Sequence, residues 1–451
     1  MRNKIFILVL ITALALTACA GKATTAPPPQ AAPTDTPVSA NPPPSGEKVT
    51  LKMWSHSNPA FQKANELLIA KFMDQNPNIE VKFETFEYGL YLQNLETSMV
   101  AGTEADVLEL FGTWICPQYA KGGRLMEVPA DVMTYEQAKQ IFFQATLDGY
   151  YCNGKLYGLP HEFNLENGGA LVNQALFEKH GVTYPPKWTS FADLIADAKK
   201  MTEVEGGTMT VAGFDPITGD GLTFTLLAAI LEQGSDYFAA DKRHFNFDTP
   251  EARKALQMIV DWAQKEKVVD PVVFTDESNS VSTAFWTNVM GIGFVGSWAA
   301  GEGLISYPDF KFDYVEIPTY FGGERRFAAD SGWGKVVSIN TKHPAEAWKL
   351  ARFLTVEQDS ALTYNTTTGT IPALKALVAN PEQVLAKEPW IKPTFDLLPH
   401  GQFIGDVTDR DKLFYTIVYP NVLQAMQGVI SVDDAVIKIN TDANAMVDEA
   451  K

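Results

Sequence analysis

Flat aromatic side chains stand at the ends of predicted strands or beside glycines, where a ligand can reach their faces. The stretches are "MWSHSN", "FGTWIC", "MGIGFVGSW" and "DSGWGK". A sugar offers apolar C–H faces ringed by hydroxyls, so a site for one combines aromatic faces with a few fixed polar groups. In open α/β sheets, ligands bind beyond the carboxyl ends of the strands. The candidate ligand-binding rings are those of Trp54, His56, Trp114, Trp298 and Trp333.

Three polar residues are candidates to pair with sugar hydroxyls. Glu162 and Asn164 lie in "PHEFN", and Asp330 begins "DSGWG". A carboxylate accepts two hydroxyls at once, and a buried hydroxyl is costly when it is unpaired. The same side chains fit a salt bridge or a surface charge equally well. Tyr88 and Tyr91 are weaker candidates. Tyr91 also fits packing on the helix that follows.

For the tryptophans and His56 there are competing interpretations. Burial in the core is an alternative to a place in the ligand site for each of the four candidate tryptophans, and it fits Trp114 as well as the ligand site does. His56 could cap the following helix instead of binding a hydroxyl. Burial in the core is preferred for four tryptophans in helical or helix-entry contexts, and Trp286 is left unassigned. The four are Trp188, Trp262, Trp348 and Trp390.

Short catalytic and metal-binding motifs are absent from the sequence. It contains no GxSxG, HExxH, CxxC or Walker-type GxxxxGK[ST] stretch. The six histidines are scattered and lack metal-ligand spacing. We therefore expect no catalytic residue, no metal site and no cofactor. A secreted glycan hydrolase stays an alternative, because its carboxylate pair has no short sequence signature.

The N-terminus has the order of a secretory signal, with a basic start followed by an apolar run over residues 5–18. This run is too short to span a hydrocarbon core, which needs about 20 helical residues. It ends in "LTAC", which resembles the lipobox of bacterial lipoproteins. The resemblance implies a signal peptide of residues 1–18, cleavage before Cys19 and lipidation of that cysteine. The alternative is an ordinary secretory signal with a chance cysteine.

Residues 19–47 follow as a tether rich in Pro, Ala and Thr, without an aromatic residue. Such a segment buries too little apolar surface to repay its ordering entropy, which predicts disorder. With Cys19 lipidated, the body would be extracytoplasmic and anchored to the cell membrane. Cys116 and Cys152 then remain as an even pair, and an oxidising location favours a disulfide over two free thiols.

The remaining body is acidic and large enough for two lobes. Loss of Arg2 and Lys4 with the signal takes 36 basic residues to 34, against 54 acidic ones, and the formal net charge from −18 to −20. Such a surface argues against nucleic acid as a partner. The roughly 400 residues after the tether suffice for two cores.

The elements that must position these residues alternate between strand and helix. "KVTLKMW" alternates as a strand does, "PAFQKANELLIAKFMDQNP" has helical spacing between Pro59 and Asn76–Pro77, and "IEVKFETF" alternates again. Strand patterns return in "VMGIGFVGS", "KFDYVEIP" and "GKVVSIN" after a mainly helical middle region. This order indicates an α/β fold with mainly parallel sheets flanked by helices.

These stretches, taken in order, resemble the extracellular solute-binding proteins of bacterial carbohydrate ABC transporters, the maltodextrin-binding-protein-like group. The quoted matches, among them "LKMWSHSN", "ADVLEL", "NGKLYGLPHEFN", "MGIGFVGSWAAG" and "GWGKVVSINTKHPAEAW", span residues 49 to about 447. The resemblance implies a two-lobe periplasmic-binding-protein-like fold of class II with a ligand cleft between the lobes. It puts Trp298 and Trp333 near the solute. It assigns residues 48–160 and 318–364 to an N-terminal lobe, and 161–317 and 365–451 to a C-terminal lobe.

The function that this resemblance implies is capture of a mono- or oligosaccharide by a lipid-anchored monomer, which delivers it to ABC transporter permease subunits. The alternative within the same group is a receptor for a non-sugar solute, such as a polyamine, a glycerol phosphate ester or a metal complex.

Overall fold

Apolar and polar residues alternate along the first strand, and the structure buries them accordingly. In this computed structural model Val49, Leu51 and Met53 are buried, while Thr50 and Lys52 are exposed. Successive side chains of a strand point to opposite faces, so the buried set faces the core. The structure describes residues 48–165, 167–216, 219–273, 281–294 and 296–450.

The described strands vary from two to eight residues in length. In chain order they are β1 Val49–His56, β2 Ile79–Phe86, β3 Val107–Phe111, β4 Tyr151–Cys152, β5 Lys155–Leu156, β6 Gly158–Pro160, β7 Glu162–Phe163, β8 Gly169–Asn173, β9 Glu203–Glu205, β10 Thr208–Asp215, β11 Met290–Gly293, β12 Phe312–Glu316, β13 Phe327–Ala329, β14 Trp333–Val337, β15 Ile371–Pro372 and β16 Gly401–Phe403.

The described α-helices range from single turns to 18 residues. In chain order they are α1 Pro59–Gln75, α2 Tyr88–Ala101, α3 Gly112–Trp114, α4 Tyr135–Ile141, α5 Gln144–Leu147, α6 Gln174–Lys179, α7 Phe191–Met201, α8 Gly219–Leu231, α9 Pro250–Gln264, α10 Val281–Trp286, α11 Trp298–Ser306, α12 Pro344–Thr355, α13 Gln358–Thr368, α14 Lys375–Ala379, α15 Glu382–Leu385, α16 Lys392–Leu397, α17 Tyr419–Met426 and α18 Val432–Glu449.

The first helix begins and ends where its sequence predicts. The side-chain oxygen of Asn58 accepts hydrogen bonds from the backbone N–H groups of Ala60 and Phe61, which are otherwise unpaired at a helix start. Pro59 occupies the first turn, where its missing N–H costs nothing. The helix ends at Gln75, before the predicted stop.

Two five-stranded sheets form the body, in the orders β2-β1-β3-β14-β6 and β12-β8-β11-β10-β9. In the first, β1 is parallel to β2 and β3, whereas β14 is antiparallel to both of its neighbours. In the second, only the β10–β11 pair is parallel. The expectation of mainly parallel sheets is therefore wrong in detail. Parallel neighbouring strands are joined by a crossover connection within one sheet. The chain instead enters β14 from the other lobe, and β14 runs antiparallel to β3 and β6.

The two-lobe α/β fold itself is confirmed. The strands of the first sheet lie within residues 48–160 and 318–364, and those of the second within 161–317, as the predicted lobes require. The chain crosses between the sheets after β6 and again after β12, and β7 pairs with β15 beside these crossings. The described residues from 48 to 450 form one compact unit. The exact limits of the lobes stay a prediction.

The tryptophans expected in the core lie there or against it. Trp262 and Trp348 are buried, and Trp188 and Trp390 are partly buried against the apolar clusters. Trp286, which the sequence left unassigned, is buried in a smaller cluster beneath the second sheet.

The predicted signal peptide, Cys19 and the tether of residues 19–47 lie outside the described residues. Within the described ranges no helix combines the length and apolar character needed to cross a membrane. The same ranges hold no group of three or more His, Cys, Asp or Glu side chains suited to a metal ion.

A disulfide joins Cys116 to Cys152 across 36 residues. It ties the π-helical turn Ile115–Ala120 to the short hairpin of β4 and β5. Closing a loop of this length restricts the unfolded chain.

Replacing both cysteines with serine is expected to lower the free energy of unfolding by about 2–4 kcal/mol, because the unfolded chain regains that freedom. The measurement is denaturant unfolding of the wild type and of the double variant, each with and without reductant. Reductant should destabilise the wild type and leave the double variant unchanged. Equal midpoints for wild type and variant would contradict a stabilising bridge.

Candidate functional site

A cavity of about 280 Å³ lies between the two lobes, beyond the carboxyl ends of β1 and β3. This is near the lower end of the ~300–1,000 Å³ typical of small-molecule sites. The first lobe contributes His56, Ser57, Asn58, Phe61, Tyr88, Phe111 and Trp333. The second lobe and the first crossing contribute Glu162, Asn164, Asp220, Trp298, Arg410 and Tyr415.

The first-lobe wall is a packed set of aromatic rings around Trp333. The imidazole of His56 is stacked on this indole, with ring centroids 4.1 Å apart and planes 18° apart. Phe111 lies 5.1 Å from the same indole, and Trp114 meets it edge-on at 5.4 Å. Such arrangements favour fixed ring orientations. The wall is therefore a preformed apolar surface rather than a set of loose side chains.

Hydrogen bonds from both lobes fix the backbone around Trp333. Its N–H donates to the Glu162 carboxylate at 3.1 Å, and its carbonyl accepts the N–H of His161 at 3.0 Å. The preceding carbonyl, that of Gly332, accepts the Tyr150 hydroxyl at 2.8 Å. The Glu162 carboxylate thus faces the cavity and also holds the aromatic wall in place.

Gly332 has to be glycine at this position. Its φ of +126° lies in a region that other residues rarely adopt. A Cβ there would stand 2.5 Å from the carbonyl oxygen of Glu162. The glycine before Trp333 therefore allows the two crossing segments to approach closely, as its place in the sequence suggested.

Arg410 lines the same cavity and forms the centre of a charged cluster. Its Nε and Nη2 donate to Asp330 Oδ2 at 3.0 and 2.5 Å, and Nη2 also donates to Asp220 Oδ1 at 2.5 Å. Its Nη1 donates to Asp411 at 3.2 Å and to the Tyr415 hydroxyl at 3.3 Å. The Tyr415 hydroxyl in turn donates to Asp220 Oδ2 at 3.0 Å. We call these five residues the Arg410 cluster.

Burial sets the protonation of the groups near the cavity. It lowers the pKa of His56 to about 4, so the imidazole stacked on Trp333 is neutral at neutral pH. Burial raises the pKa of Asp330 to about 6, although Arg410 counteracts the rise. It also raises the pKa of Asp411.

A buried ion pair lies behind the aromatic wall. Lys335 faces Glu109 directly across β14 and β3, and its ammonium contacts that carboxylate. Asn65 bonds to both, accepting from Lys335 at 3.0 Å and donating to Glu109 at 2.9 Å. Burial alone would raise the pKa of Glu109, but the neighbouring groups, Lys335 first among them, together lower it to about 2. The pair sits two positions from Phe111 and Trp333 on the same strands.

The structure brings most of the predicted site residues together. His56, Glu162, Asn164, Trp298 and Trp333 line one cavity. The weaker candidate Tyr88 lines it too. Their roles in binding a ligand stay predictions.

Trp54, Trp114 and Asp330 do not line this cavity, which corrects their place in the predicted site. Trp54 lies opposite Glu84 in the β1–β2 pair, and its indole N–H donates to that carboxylate at 2.8 Å. Trp114 is buried behind Trp333. Asp330 is fully buried and bonded to Arg410, so it positions the guanidinium instead of facing a ligand.

Tyr91 is also buried away from the cavity, as its helical context allowed. Its hydroxyl donates to the backbone carbonyl of Glu109 at 2.7 Å. Asn58, not His56, caps the following helix through its side chain.

The Arg410 cluster as a whole is not predictable from the sequence. Arg410 and Asp220 are 190 positions apart, and only the fold brings them within hydrogen-bonding distance. The stretch "DVTDRDKLFY" around Arg410 is typical of an ordinary charged loop. An arginine flanked by Asp409 and Asp411 was the only local signal.

The cavity combines stacking faces with carboxylate, amide and hydroxyl groups. Such a set suits reversible binding of a small polar molecule with an apolar face.

The chain is similar to known proteins that bind solutes outside the cell. A family model described as bacterial extracellular solute-binding protein matches residues 55–360. An uncharacterized ABC transporter extracellular-binding protein of Pyrococcus horikoshii is 26% identical over 383 residues, which cover 79% of each chain.

Two solved structures share the fold. An ABC transporter solute-binding protein of Thermotoga lettingae, bound with alpha-D-tagatose, has a TM-score of 0.73 at 20% identity, over 89% of this chain and 100% of that one. An ABC substrate-binding protein of Listeria monocytogenes in complex with cycloalternan has a TM-score of 0.74 at 22% identity, with the same coverage.

Proposed function

The chain belongs to the bacterial extracellular solute-binding protein family, and on that premise we propose that it is a lipid-anchored receptor that captures a sugar for an ABC transporter. The observation that carries the proposal is the cavity between the lobes, with Trp333 and Trp298 on its walls and carboxylates beside them. Aromatic faces stack on the C–H faces of a sugar, and carboxylates pair with its hydroxyls. Sugars bound to proteins of the same fold support this class of ligand.

The mechanism that we propose is closure of the lobes around the solute. Because the lining residues come from both lobes, a bound sugar contacts both and stabilises the closed form over the open one. The closed receptor then docks on permease subunits as a monomer and releases its cargo, while ATP is hydrolysed on another polypeptide. A cavity of about 280 Å³ favours a short sugar over a long oligosaccharide.

A thermal-shift screen of residues 45–451 tests the proposal. The panel holds mono- and disaccharides, with polyamines, amino acids, ferric complexes and glycerol phosphates as controls. A ligand at 100 times its Kd adds about 2.7 kcal/mol of stability. Stabilisation by one sugar series is the expected result, without release of reducing sugar. Stabilisation by polyamines alone would replace the sugar with a cationic solute, and hydrolysis of a disaccharide would favour the glycan hydrolase.

Replacing Cys19 with alanine is expected to move the protein from the detergent phase to the aqueous phase of a detergent partition, because two or three acyl chains bind a membrane far more durably than none. The full chain is expressed in a bacterium that processes lipoproteins, and the measurement is the fraction of the protein in each phase. Lys22→Ala, in the tether, is the matched control and should stay in the detergent phase. Retention of the Cys19→Ala protein there would contradict lipidation at this cysteine.

A further inference from the structure

The cavity wall carries more negative than positive charge. Glu162, Asp220 and Arg410 line it, and Asp330 and Asp411 bond to Arg410 from behind. Four carboxylates against one guanidinium give a formal charge of −3 when all five groups are ionised. If Asp330 and Asp411 were both protonated, two lining carboxylates against one guanidinium would still leave −1.

The nearest other charged groups leave this sign unchanged. Lys335 is paired with Glu109 in the buried layer, so that pair is neutral as a whole. His56 and His161 are buried, which lowers the pKa of both imidazoles and keeps them uncharged at neutral pH. A cleft with low-dielectric walls concentrates such a field on its contents.

Arg410 is not an anion receptor in this arrangement. A guanidinium has five N–H donors, and Arg410 makes five hydrogen bonds within its cluster, to three carboxylates and the Tyr415 hydroxyl. Its side chain is only 4% exposed. A ligand carboxylate or phosphate would have to displace one of these partners, and would then meet the remaining carboxylates.

Asp220 is the carboxylate of the cluster that both lines the cavity and reaches solvent. Its side chain is 29% exposed, and each oxygen accepts one hydrogen bond from the cluster. A carboxylate has about four acceptor positions. Arg410 and Tyr415 therefore hold Asp220 in a fixed orientation while it keeps acceptor capacity toward the cavity.

We propose that this site selects sugars by charge: it binds sugars that lack an acidic group, and it binds a sugar whose ammonium reaches Asp220 more tightly than the neutral parent. This inference rests on the proposed function, since it divides sugars into classes that the same cavity accepts or rejects. Asp220 is the specificity-determining residue, and Arg410 positions it.

Matched sugars test the inference directly. Glucose, galactose and mannose are each compared with the 2-amino and uronic acid forms, by calorimetry and ligand-observed NMR on residues 45–451, at low and at physiological salt. In the series that binds, the amino sugar should bind several-fold tighter than the neutral one, and the uronate roughly tenfold weaker or worse. Salt should reduce both differences, because it screens the field.

Two variants separate the role of Asp220 from a general charge effect. Asp220→Asn keeps a polar side chain of similar shape but removes the charge, and it should bring the amino and neutral forms to within about twofold of each other. Asp409→Asn removes an equal charge from a neighbouring residue that does not line the cavity, where it accepts the N–H of Lys412. This control should keep the preference for the amino sugar.

A uronate that binds as tightly as its neutral parent would overturn the charge selection and leave the receptor function standing. An amino preference that survives in Asp220→Asn would overturn the role of this residue. Binding of none of the nine sugars would overturn the charge selection as stated for these hexoses, whereas the proposed function fails only if no sugar of the thermal-shift panel stabilises the protein.

Discussion

Lys335→Met is expected to lower the free energy of unfolding by about 3–5 kcal/mol, because it leaves the Glu109 carboxylate charged and unpaired inside the protein. Both side chains of the pair are fully buried, with 0% exposure. Water cannot replace the lost partner at such a site. Denaturant unfolding of residues 45–451 at neutral pH gives the measurement.

The matched control for this change is the double variant Glu109→Gln, Lys335→Met. Glutamine is uncharged and keeps an acceptor for the Asn65 amide, which donates to Glu109 at 2.9 Å in the wild type. Because no buried charge is then unpaired, the double variant should be more stable than the single one by roughly 1–3 kcal/mol. A double variant no more stable than Lys335→Met would contradict the account of the pair.

The pH dependence of the single variant supplies a second readout. Without Lys335, burial raises the pKa of Glu109 in the folded state above its value in the unfolded chain. The folded state then binds the proton more tightly, so the variant should regain stability relative to the wild type as pH falls from 8 to 5. A loss of stability that is independent of pH would indicate disrupted packing instead of an unpaired charge.

Trp298→Ala is expected to lower the affinity for the cognate sugar roughly tenfold or more, which is about 1.4 kcal/mol, because the sugar loses a stacking face. Trp298 is the first residue of α11, lines the cavity and is only partly buried. The fold should therefore survive the change. Calorimetric titration with the sugar that stabilises the protein most gives the measurement.

Trp390→Ala is the matched control for this loss of an indole. Trp390 is also partly buried against the same apolar cluster, but it lines a separate groove beside β12. Its replacement should leave the sugar affinity within about twofold of the wild-type value. It should remove about as much apolar packing as Trp298→Ala does. Equal affinity losses in the two variants would mean that general destabilisation, not stacking, explains the effect.

Trp333 is a poorer target for the same test. It is only 8% exposed, and its ring contacts three other aromatic rings. Removing it would open a cavity in the core at a cost of about 3–5 kcal/mol. The loss of affinity would then be mixed with a loss of structure.

The fold could be predicted from the sequence because its signals are local. Alternation in β1, the spacing of apolar residues in α1 and the capping position of Asn58 each depend on a few neighbouring residues. The order of such elements indicated the two-lobe architecture. Strand direction was less predictable, since β14 joins its sheet from the other lobe.

Half of the site could be predicted for a similar reason. Trp333 sits between glycines and Trp298 follows a glycine-rich strand, which are features of a backbone that approaches a ligand closely. The Arg410 cluster had no such signal, because its members come from three distant segments. Trp114 does follow a strand, as the sequence predicts, but only packing decides that it lies behind Trp333.

A crystal structure of residues 45–451 with the sugar that gives the largest thermal shift would show where the ligand binds. We expect a sugar ring between the lobes, with its C–H face within about 4 Å of the Trp298 or Trp333 indole and a polar group hydrogen-bonded to Asp220 or Glu162. A sugar bound outside this cavity, such as in the groove beside Trp390, would contradict this expectation.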